Sequence, residues 1–363
     1  MQSLSRFNTF SAKAVTGVFR PIARLSRAAR PQFEMAPLCI SLPEGTGRVL
    51  SIQSHTVQGY VGNKAAVFPL QLLGFDVDPI NSVQLSNHTG YPTVRGQVLN
   101  GEQLWTLIEG LEANDLLCYT HLLTGYIGSV SFLDTILQVV QKLRSVNPDL
   151  IYVCDPVMGD EGKLYIPPEL VSVYREKVVP VASMITPNHF EAEHLTGLRI
   201  SCEADGLRAC NALHAAGPSK VVITSLEMDG MLLLIGSHQK TEGHPTEQFK
   251  IVMPKIPAYF TGFLSGILMQ EHLGGQAIDI TQKHFQGTGD LMTALLLGWS
   301  NKYPQELWKA AELAVATVQA ILHRTISDYN AAAIETPKQL EIQLIQSHDD
   351  IKSPQVTYFA EKY

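Results

Sequence analysis

Cysteine is scarce in this chain of 363 residues: it has five, and no two of them are spaced as C-x-x-C. An odd number of scattered cysteines argues against both a disulfide framework and a cysteine-based zinc site. We therefore expect reduced, mostly buried thiols of an intracellular protein. The five residues are Cys39, Cys118, Cys154, Cys202 and Cys210.

Long apolar runs and an excess of positive charge are missing as well. No stretch of about 18 apolar residues occurs, so we expect no membrane-spanning segment. The net charge is −7, the pI is about 5.9, and the body of the chain has no basic stripe, which argues against binding to nucleic acid. What the chain does have is a 45% hydrophobic content over this length, enough for the core of one large α/β domain or two small ones.

Residues 1–34 differ from the rest because they contain no acid before Glu34. They combine several serines with six basic residues, a composition typical of an organellar transit peptide, and they predict import into a chloroplast or mitochondrion. The alternatives are a basic leader without a targeting role and an upstream start, since Met35 could itself begin a complete protein. Residues 35–47 contain prolines and a glycine and predict a linker. The basic residues of the leader are Arg6, Lys13, Arg20, Arg24, Arg27 and Arg30.

From Arg48 onward, short apolar runs alternate with amphipathic stretches, which predicts βαβ units and a largely parallel sheet. We assign a main domain to 48–330 and a tail to 331–363, in which the alternation over Leu340–Ile345 predicts an edge strand. The predicted strands cover 48–52, 76–84, 115–123, 150–154, 220–225, 231–237 and 249–260, and the predicted helices cover 65–73, 103–111, 131–143, 204–216, 291–299 and 306–324.

The run Gly287-Thr288-Gly289-Asp290 stands directly before an apolar helix over 291–299. Two glycines allow the backbone to turn so that successive N–H groups converge, and the start of the helix adds the positive end of its dipole. Such a turn suits an anion such as a transferring phosphoryl group. A carboxylate at the same place can accept a proton from an attacking hydroxyl. The alternative is that Asp290 is an ordinary first-turn residue after a glycine turn.

Two more polar segments follow predicted strands, at the edge where open α/β sheets bind their ligands. Asp155 and Asp160 flank a turn containing proline and glycine, and they suit a hard divalent cation held through oxygens and waters. Ordinary turn chemistry is the alternative for this pair. After the strand that ends at Thr186, Asn188 and Glu191 share one face of a new helix. They predict either a site for metal-bound water and phosphate oxygens or a simple helix cap.

Taken in order, seven motifs resemble those of the pyridoxal kinases of the ribokinase-like superfamily, most closely the plant branch. The resemblance covers about Arg48 to Arg324 and extends into the tail. The motifs are SIQSHTVQGYVGN (51–63), NSVQLSNHTGY (81–91), LTGY (123–126), DPVMGD (155–160), TPNHFEAE (186–193), VITS (222–225) and GTGD (287–290).

This resemblance implies a three-layer α/β/α sandwich with a mostly parallel central sheet, in a cytosolic homodimer. It implies phosphorylation by ATP of the 5′-hydroxymethyl group of pyridoxal, pyridoxine or pyridoxamine, with Asp290 as the general base. The amides of Gly287, Thr288 and Gly289 would then hold the charge on the transferred group. Two alternatives stay open: a hydroxymethylpyrimidine-type kinase, and an isoform that binds the vitamer or dimerises without turnover.

The resemblance also implies further site residues, each at the position that matches a family motif. The implied ligands are ATP, Mg²⁺ and a monovalent cation, either K⁺ or Na⁺. For the vitamer the residues are Ser54, Thr89 and Tyr126 with Gly287 and Asp290; for ATP they are Asp155, Asn188, Glu191, Thr224, Ser225, Ile256, Ala258 and Thr288; for the cations they are Asp155, Asp160, Thr186, Glu191 and Thr224.

One segment departs from the family pattern. In the family, the equivalent of Tyr259-Phe260-Thr261 continues directly into the glycine turn, whereas here about 25 residues, 262–286, intervene. Lengthening a loop costs only about 0.6 kcal/mol per doubling of its length, so we expect the core to fold. A misplacement of about 1 Å at the catalytic turn can cost about a hundredfold in rate. We therefore expect reduced or lost kinase activity in this chain.

Overall fold

The computed structural model describes residues 46–240, 246–256, 285–331 and 341–363, without the side chains of 330 and 331. All of them belong to one unit of the chain, Pro37–Tyr363. The leader 1–34, the linker up to residue 45, Ala258 and the inserted segment up to residue 284 lie outside the described residues. The predictions made for those segments stay predictions.

A ten-stranded sheet forms the middle layer, in the order β12-β11-β10-β9-β8-β5-β4-β1-β2-β3. The six strands from β9 to β2 are parallel, while β3 at one edge and β10 to β12 at the other are antiparallel. A separate ribbon pairs β6 with β7. The strands are β1 (Arg48–Thr56), β2 (Asp76–Leu85), β3 (Gly96–Val98), β4 (His121–Thr124), β5 (Ile151–Cys154), β6 (Gly159–Asp160), β7 (Lys163–Leu164), β8 (Met184–Ile185), β9 (Lys220–Met228), β10 (Met231–His238), β11 (Glu247–Pro254) and β12 (Glu361–Lys362).

Helices cover both faces of this sheet and bury two separate apolar clusters. Helices α2 to α6 pack on one face, and α1 with α7 to α9 pack on the other. Successive strand residues point to opposite faces, so Leu50 and Ile52 enter the first cluster while Val49 enters the second. The helices are α1 (Asn63–Leu72), α2 (Gly101–Glu112), α3 (Val130–Val146), α4 (Glu169–Val173), α5 (His189–Thr196), α6 (Glu203–Ala216), α7 (Thr288–Lys302), α8 (Leu307–Ala331) and α9 (His348–Lys352).

Helix α7 is the most deeply placed helix of the second face. Its residues from Asp290 to Ser300 are all buried, which explains why the sequence there is apolar on every side. It packs against α1 and α8, and its Gly298 backbone lies close to the Leu73 side chain. The expected three-layer α/β/α sandwich is confirmed.

The tail strand predicted over Leu340–Ile345 is wrong for the described part of that range, 341–345. No strand forms there, and Ile345–Ser347 is a 3₁₀ turn. Ile342 and Leu344 alternate with polar residues because they are buried in the second cluster, not because they pair in a sheet. The strand of the tail is β12, which pairs antiparallel with β11.

Other differences concern element boundaries. The strand predicted over 115–123 is confined to β4, because the left-handed φ of 56° at Asp115 belongs to the turn that ends α2. Strand β11 begins at Glu247 inside the predicted loop 238–248 and ends at Pro254. Strand β3, the β6–β7 ribbon, α4 and the π-helical turn Tyr174–Val178 were not predicted.

Cys154, Cys202 and Cys210 are free thiols, as expected. The expectation of a reduced thiol is wrong for Cys118, which is disulfide-bonded. Among the helices in the described parts of the chain, none is long and apolar enough to cross a membrane.

We predict that Phe249→Ala strongly destabilises the fold. Phe249 on β11 is fully buried, and its ring packs on Gly236 of β10, where a Cβ would lie 2.0 Å from the ring atom Cζ. Truncation should lower the free energy of unfolding by about 3–5 kcal/mol, measured by denaturant titration. Val252→Ala on the same strand, where Val252 is 39% exposed, is the matched control and should cost below about 1 kcal/mol. Equal losses in both variants would contradict this packing.

Candidate active site

The glycine turn before α7 lies directly against the loop that follows β1. Gly287 has a left-handed φ of 82°, and a Cβ at this position would lie 1.8 Å from the carbonyl oxygen of Tyr60. Only glycine fits both the conformation and the contact. The helix begins at the next residue, Thr288, so its free N–H groups stand at the turn.

Asp290 lies in the first turn of α7, with only 3% of its surface exposed. One carboxylate oxygen, Oδ2, accepts a hydrogen bond of 2.8 Å from the N–H of Gly62. The other, Oδ1, is buried and has no hydrogen-bond partner among the described residues. Burial raises the pKa of Asp290 to about 7, although the Gly62 N–H lowers it. A carboxyl group that titrates near neutral pH is suited to act as a general base.

Gly62 itself has a left-handed φ of 55°, and a Cβ there would lie 2.0 Å from the carbonyl oxygen of Ser54. The Oγ atom of Ser54 is buried and has no hydrogen-bond partner in the described parts of the chain. A Cβ on Gly62 would also lie 2.4 Å from this Oγ. Ser54 therefore stands next to the N–H that holds Asp290.

Asp155 follows β5 directly, and its N–H donates to the Thr124 carbonyl at 2.9 Å, continuing the strand ladder. Its side chain is buried, and burial raises its pKa well above the usual range of a carboxyl group. The charge of Asp290 raises it further, while a hydrogen bond with Thr293 lowers it. A Cβ on Gly289 would lie 3.8 Å from Oδ2 of Asp155, so this carboxylate is close to the glycine turn. Two mutually repelling acids therefore share one buried site.

Asn188 and Glu191 form a capping box at the start of α5. The Asn188 side chain accepts the Glu191 N–H at 2.8 Å, and Oε2 of Glu191 accepts the Asn188 N–H at 2.9 Å. Oε1 of Glu191 accepts the Met158 N–H at 2.9 Å, and the Asn188 amide donates to the Gly159 carbonyl at 2.8 Å. Burial raises the pKa of Glu191 well above its usual range, and the charge of Asp155 adds to this, while the two N–H donors lower it. The capping interpretation is confirmed, and the cap also fixes the loop after Asp155.

One cavity collects most of the predicted residues, at the carboxyl ends of β5 and β8 beside β9 and the starts of α5 and α7. This arrangement brings the glycine turn, the predicted base and the predicted nucleotide and cation residues together. Predicted residues that line it are Asp155, Thr186, Asn188, Glu191, Thr224, Ser225, Gly287, Thr288, Gly289 and Asp290; Val157, Gly159, Tyr165 and Phe285 line it as well and were not predicted.

Of the predicted residues that the structure describes, five lie outside this cavity. Ser54 is buried near Asp290, as described above, while Tyr126 is 7% exposed and Thr89 is half-buried in the turn after β2. Asp160 lines a neighbouring cavity with Ser225 and Lys255, so the two aspartates of the predicted cation pair face different cavities. Ile256 is buried in the second apolar cluster.

Besides the four lining residues, two residues that support the site were not predicted, Thr293 and Gly62. Thr293 lowers the pKa of Asp155, and its Oγ1 is 2.8 Å from Oγ1 of Thr186. It lies three residues after Asp290 on the same helix face, and this spacing could have identified it. The contact of Gly62 with Asp290 joins residues 228 positions apart, and the only local signal was its place in a glycine-containing loop.

The site suits a magnesium ion by its donor chemistry. Within the residues that the structure describes, no group of three or more His, Cys, Asp and Glu side chains is arranged to hold a metal. A cation here would therefore have Asp155 as its charged ligand, together with threonine oxygens, waters and phosphate oxygens, which is how Mg²⁺ usually binds. A positive charge would also relieve the repulsion between Asp155 and Asp290.

Comparison with known proteins agrees with this geometry. A family model described as phosphomethylpyrimidine kinase matches residues 119–245. A pyridoxal kinase from Arabidopsis thaliana is 69% identical over 327 residues, which cover 90% of this chain and 98% of that protein. The chain belongs to the pyridoxal kinase family.

Two more members of the pyridoxal kinase family show how far this similarity extends. The pyridoxal kinase of Homo sapiens is 43% identical over 325 residues, covering 85% of this chain and 96% of that protein. A pyridoxal kinase from Leishmania donovani, solved in complex with ADP and pyridoxamine, is 33% identical with a TM-score of 0.74, covering 87% of this chain and 99% of that one.

We predict that Asp290→Asn stabilises the ligand-free protein at alkaline pH. Because the carboxyl pKa is raised from 3.8 to about 7 on folding, the folded chain binds a proton that the unfolded chain has released between these values. Wild-type stability should therefore fall as pH rises from about 4 to about 7 and level off above pH 7, and the variant should avoid this loss. At pH 8 the variant should be more stable by about 2–4 kcal/mol, with the difference vanishing near pH 4.

The measurement is chemical denaturation of both proteins from pH 4 to pH 8 without nucleotide or metal. Asp349→Asn is the control, because the Asp349 side chain is 89% exposed and the same substitution there should change little. A gap between wild type and Asp290→Asn that does not change with pH would contradict the assignment.

Proposed function

We propose that this protein is an ATP-dependent pyridoxal kinase of vitamin B6 salvage. It transfers the γ-phosphoryl group of ATP to the 5′-hydroxymethyl group of pyridoxal, pyridoxine or pyridoxamine and forms the 5′-phosphate. The observation that carries the proposal is the buried Asp290 carboxylate, with its pKa near 7, at the head of α7 beside a glycine turn. Membership of the family supports it, as does the relative solved with ADP and pyridoxamine.

In the proposed reaction, Asp290 takes the proton from the 5′-hydroxyl of the substrate, and the hydroxyl oxygen attacks the γ-phosphorus of ATP. The new O–P bond forms as the bond from the γ-phosphorus to the bridging oxygen breaks, and ADP leaves. The N–H groups of Gly287, Thr288 and Gly289 stabilise the negative charge on the transferred group, and loss of one such donor costs about 3–4 kcal/mol in other enzymes. Ser54, Thr89 and Tyr126 hold the pyridine ring in this proposal.

The nucleotide and its cations occupy the cavity on the other side of the turn. Mg²⁺ neutralises charge on the phosphates when it is bound, and a monovalent cation, K⁺ or Na⁺, binds nearby. Asn188, Ser225 and the segment from Ile256 to Ala258 belong to the nucleotide side. Both oxygens of Glu191 already accept backbone N–H groups, so we assign it to holding the loop after Asp155 or binding a cation through water. Asp155, Asp160, Thr186 and Thr224 are the other proposed cation residues.

Two further proposals concern the whole protein. We propose a homodimer, which light scattering of the purified chain would test by its mass. We also propose that residues 1–34 address an otherwise cytosolic kinase to a chloroplast or mitochondrion, since this basic leader lacks acids before Glu34. A fluorescent fusion of residues 1–47 that stays in the cytosol would contradict the second proposal.

We expect Asp290→Asn to lower kcat at least about a thousandfold with pyridoxal and ATP, because the variant has no base for the hydroxyl proton. The KM for ATP should stay within about threefold, since Asp290 acts on the alcohol. Wild-type kcat/KM should rise with pH and level off above about pH 7, where Asp290 is ionised in the free enzyme. Asp349→Asn serves as the control and should have normal turnover. Near-normal turnover of Asp290→Asn would rule out Asp290 as the general base.

A hydroxymethylpyrimidine kinase is the second candidate, because the family model matched over 119–245 is described as phosphomethylpyrimidine kinase. The same assay separates the two functions. A higher kcat/KM for hydroxymethylpyrimidine than for any B6 vitamer would favour the second candidate. Ser54 and His55 at the end of β1, together with residues 86–91, favour the vitamer.

We expect deletion of 262–286 to raise turnover. Phe285 and Gln286, the last two residues of the inserted segment, are buried before the glycine turn, and Phe285 lines the cavity. The deletion would put Phe260 and Thr261 in the two positions before Gly287 that Phe285 and Gln286 occupy in the full chain, so an aromatic residue stays two positions before Gly287. Equal steady-state turnover of both proteins would contradict an inhibitory role. Binding of ATP by calorimetry without product formation would instead favour the non-catalytic isoform.

A further inference from the structure

Glu341, in the C-terminal tail, makes contacts that the proposed reaction does not use. Its side chain is 12% exposed, and its Oε1 atom lies 3.0 Å from Nε2 of His88. The hydroxyl of Tyr91 donates to the same oxygen at 2.9 Å. His88 and Tyr91 both belong to the turn after β2 that carries Thr89, a proposed contact of the pyridine ring.

The hydrogen bonds of His88 define the direction of this contact. The Gly90 N–H donates to Nδ1 of His88 at 3.1 Å, so Nδ1 is the acceptor and a neutral ring carries its proton on Nε2. Nε2 therefore donates to Glu341. The ring is 1% exposed, so this link between turn and tail is shielded from water.

The same carboxylate also reaches the loop after β1. A Cβ on Gly59 would lie 2.6 Å from its Oε2 atom, and the N–H of the next residue, Tyr60, helps to lower the pKa of Glu341. Burial raises the pKa of Glu341, but the hydrogen bonds from His88, Tyr91 and Tyr60 outweigh this and leave it lowered. Glu341 is thus an acceptor for donors from the turn after β2 and lies against the loop after β1.

The loop after β1 connects this carboxylate to the reacting groups. Gly59 lies against Glu341, and the carbonyl oxygen of the next residue, Tyr60, lies against Gly287 of the glycine turn. Two residues later, the Gly62 N–H holds Asp290. A shift of Tyr60 would therefore move both the turn and the donor that orients the base.

The tail segment around Glu341 is itself fixed on α8. The backbone N–H of Glu341 donates to the Tyr329 hydroxyl at 3.3 Å, and the Gln343 N–H donates to Oγ1 of Thr325 at 2.9 Å. Ile342 and Leu344 are buried beside these contacts. The Glu341 carboxylate therefore extends from a backbone segment that is hydrogen-bonded to α8.

We propose that Glu341 is a positioning residue for the alcohol substrate. It joins the loops after β1 and β2, and it thereby sets the fit of the hydroxymethyl pyridine and the alignment of Asp290 without touching the reacting atoms. This proposal rests on the proposed function, which places the alcohol at these loops.

The test compares Glu341→Gln with wild type and with a matched control. Glu312→Gln is the control because Glu312 is also a buried carboxylate, 8% exposed, that accepts a backbone N–H from the tail, that of Ala360 at 2.7 Å, away from the two loops. We expect Glu341→Gln to raise the KM for pyridoxal roughly tenfold or more and to lower kcat, with the KM for ATP within about threefold. Tyr91→Phe, which removes one donor, should give a smaller rise, and Glu312→Gln none.

Hydrogen exchange of the ligand-free proteins gives a readout that does not need turnover. In Glu341→Gln, the amides of residues 57–62 and 86–91 should exchange faster, whereas those of α7 should not change. Unchanged exchange in the two loops would overturn the proposal, and so would equal rises of the KM values for pyridoxal and for ATP. The proposal would also be overturned if Glu312→Gln showed the same kinetic and exchange changes as Glu341→Gln. If wild type phosphorylates no vitamer, the proposed function fails, and the exchange measurement still decides the role of Glu341.

Discussion

The hydrogen bond from the Gly62 N–H to the Asp290 carboxylate is the interaction on which the site depends. It joins the loop after the first strand to the start of a helix 228 residues later, at a distance of 2.8 Å. It is possible because Gly62 has a φ that other residues rarely adopt and because Gly287 lets the second segment touch Tyr60. The donor that orients the base is therefore a backbone N–H, which a change of side-chain rotamer cannot displace.

The buried acids of this site lower the stability of the fold. Asp155, Glu191 and Asp290 each have a raised pKa because burial disfavours their charged forms. The surrounding structure compensates through the apolar burial of α7 and the two clusters on either side of the sheet. At this site, Oδ1 of Asp290 and Oγ of Ser54 are buried without a hydrogen-bond partner among the described residues, and they stand on α7 and β1.

Local patterns in the sequence predicted the sheet and most helices, because strand and helix periods are properties of neighbouring residues. They also singled out Asp155, Asn188, Glu191 and the glycine turn, whereas the roles of Thr186, Thr224 and Ser225 came from the resemblance to the family. They failed where a partner lies far along the chain. The alternation of Ile342 and Leu344 reports burial, and it cannot tell packing under α8 from pairing in a sheet. The contact of Glu341 with His88 spans 253 residues, and no spacing rule reaches that far.

The position of the last strand has a consequence for synthesis on the ribosome. Strand β12 pairs with β11 through Phe249–Lys362 and Lys250–Glu361, so residues far downstream of β11 cover an outer edge of the sheet. Domains begin to fold from the amino end as they emerge, and an uncovered strand edge invites pairing with other chains. A nascent chain that has released β11 but not yet Glu361 therefore passes through a stage with this edge bare. This edge is covered only once Glu361 and Lys362 have been synthesised and have left the ribosome.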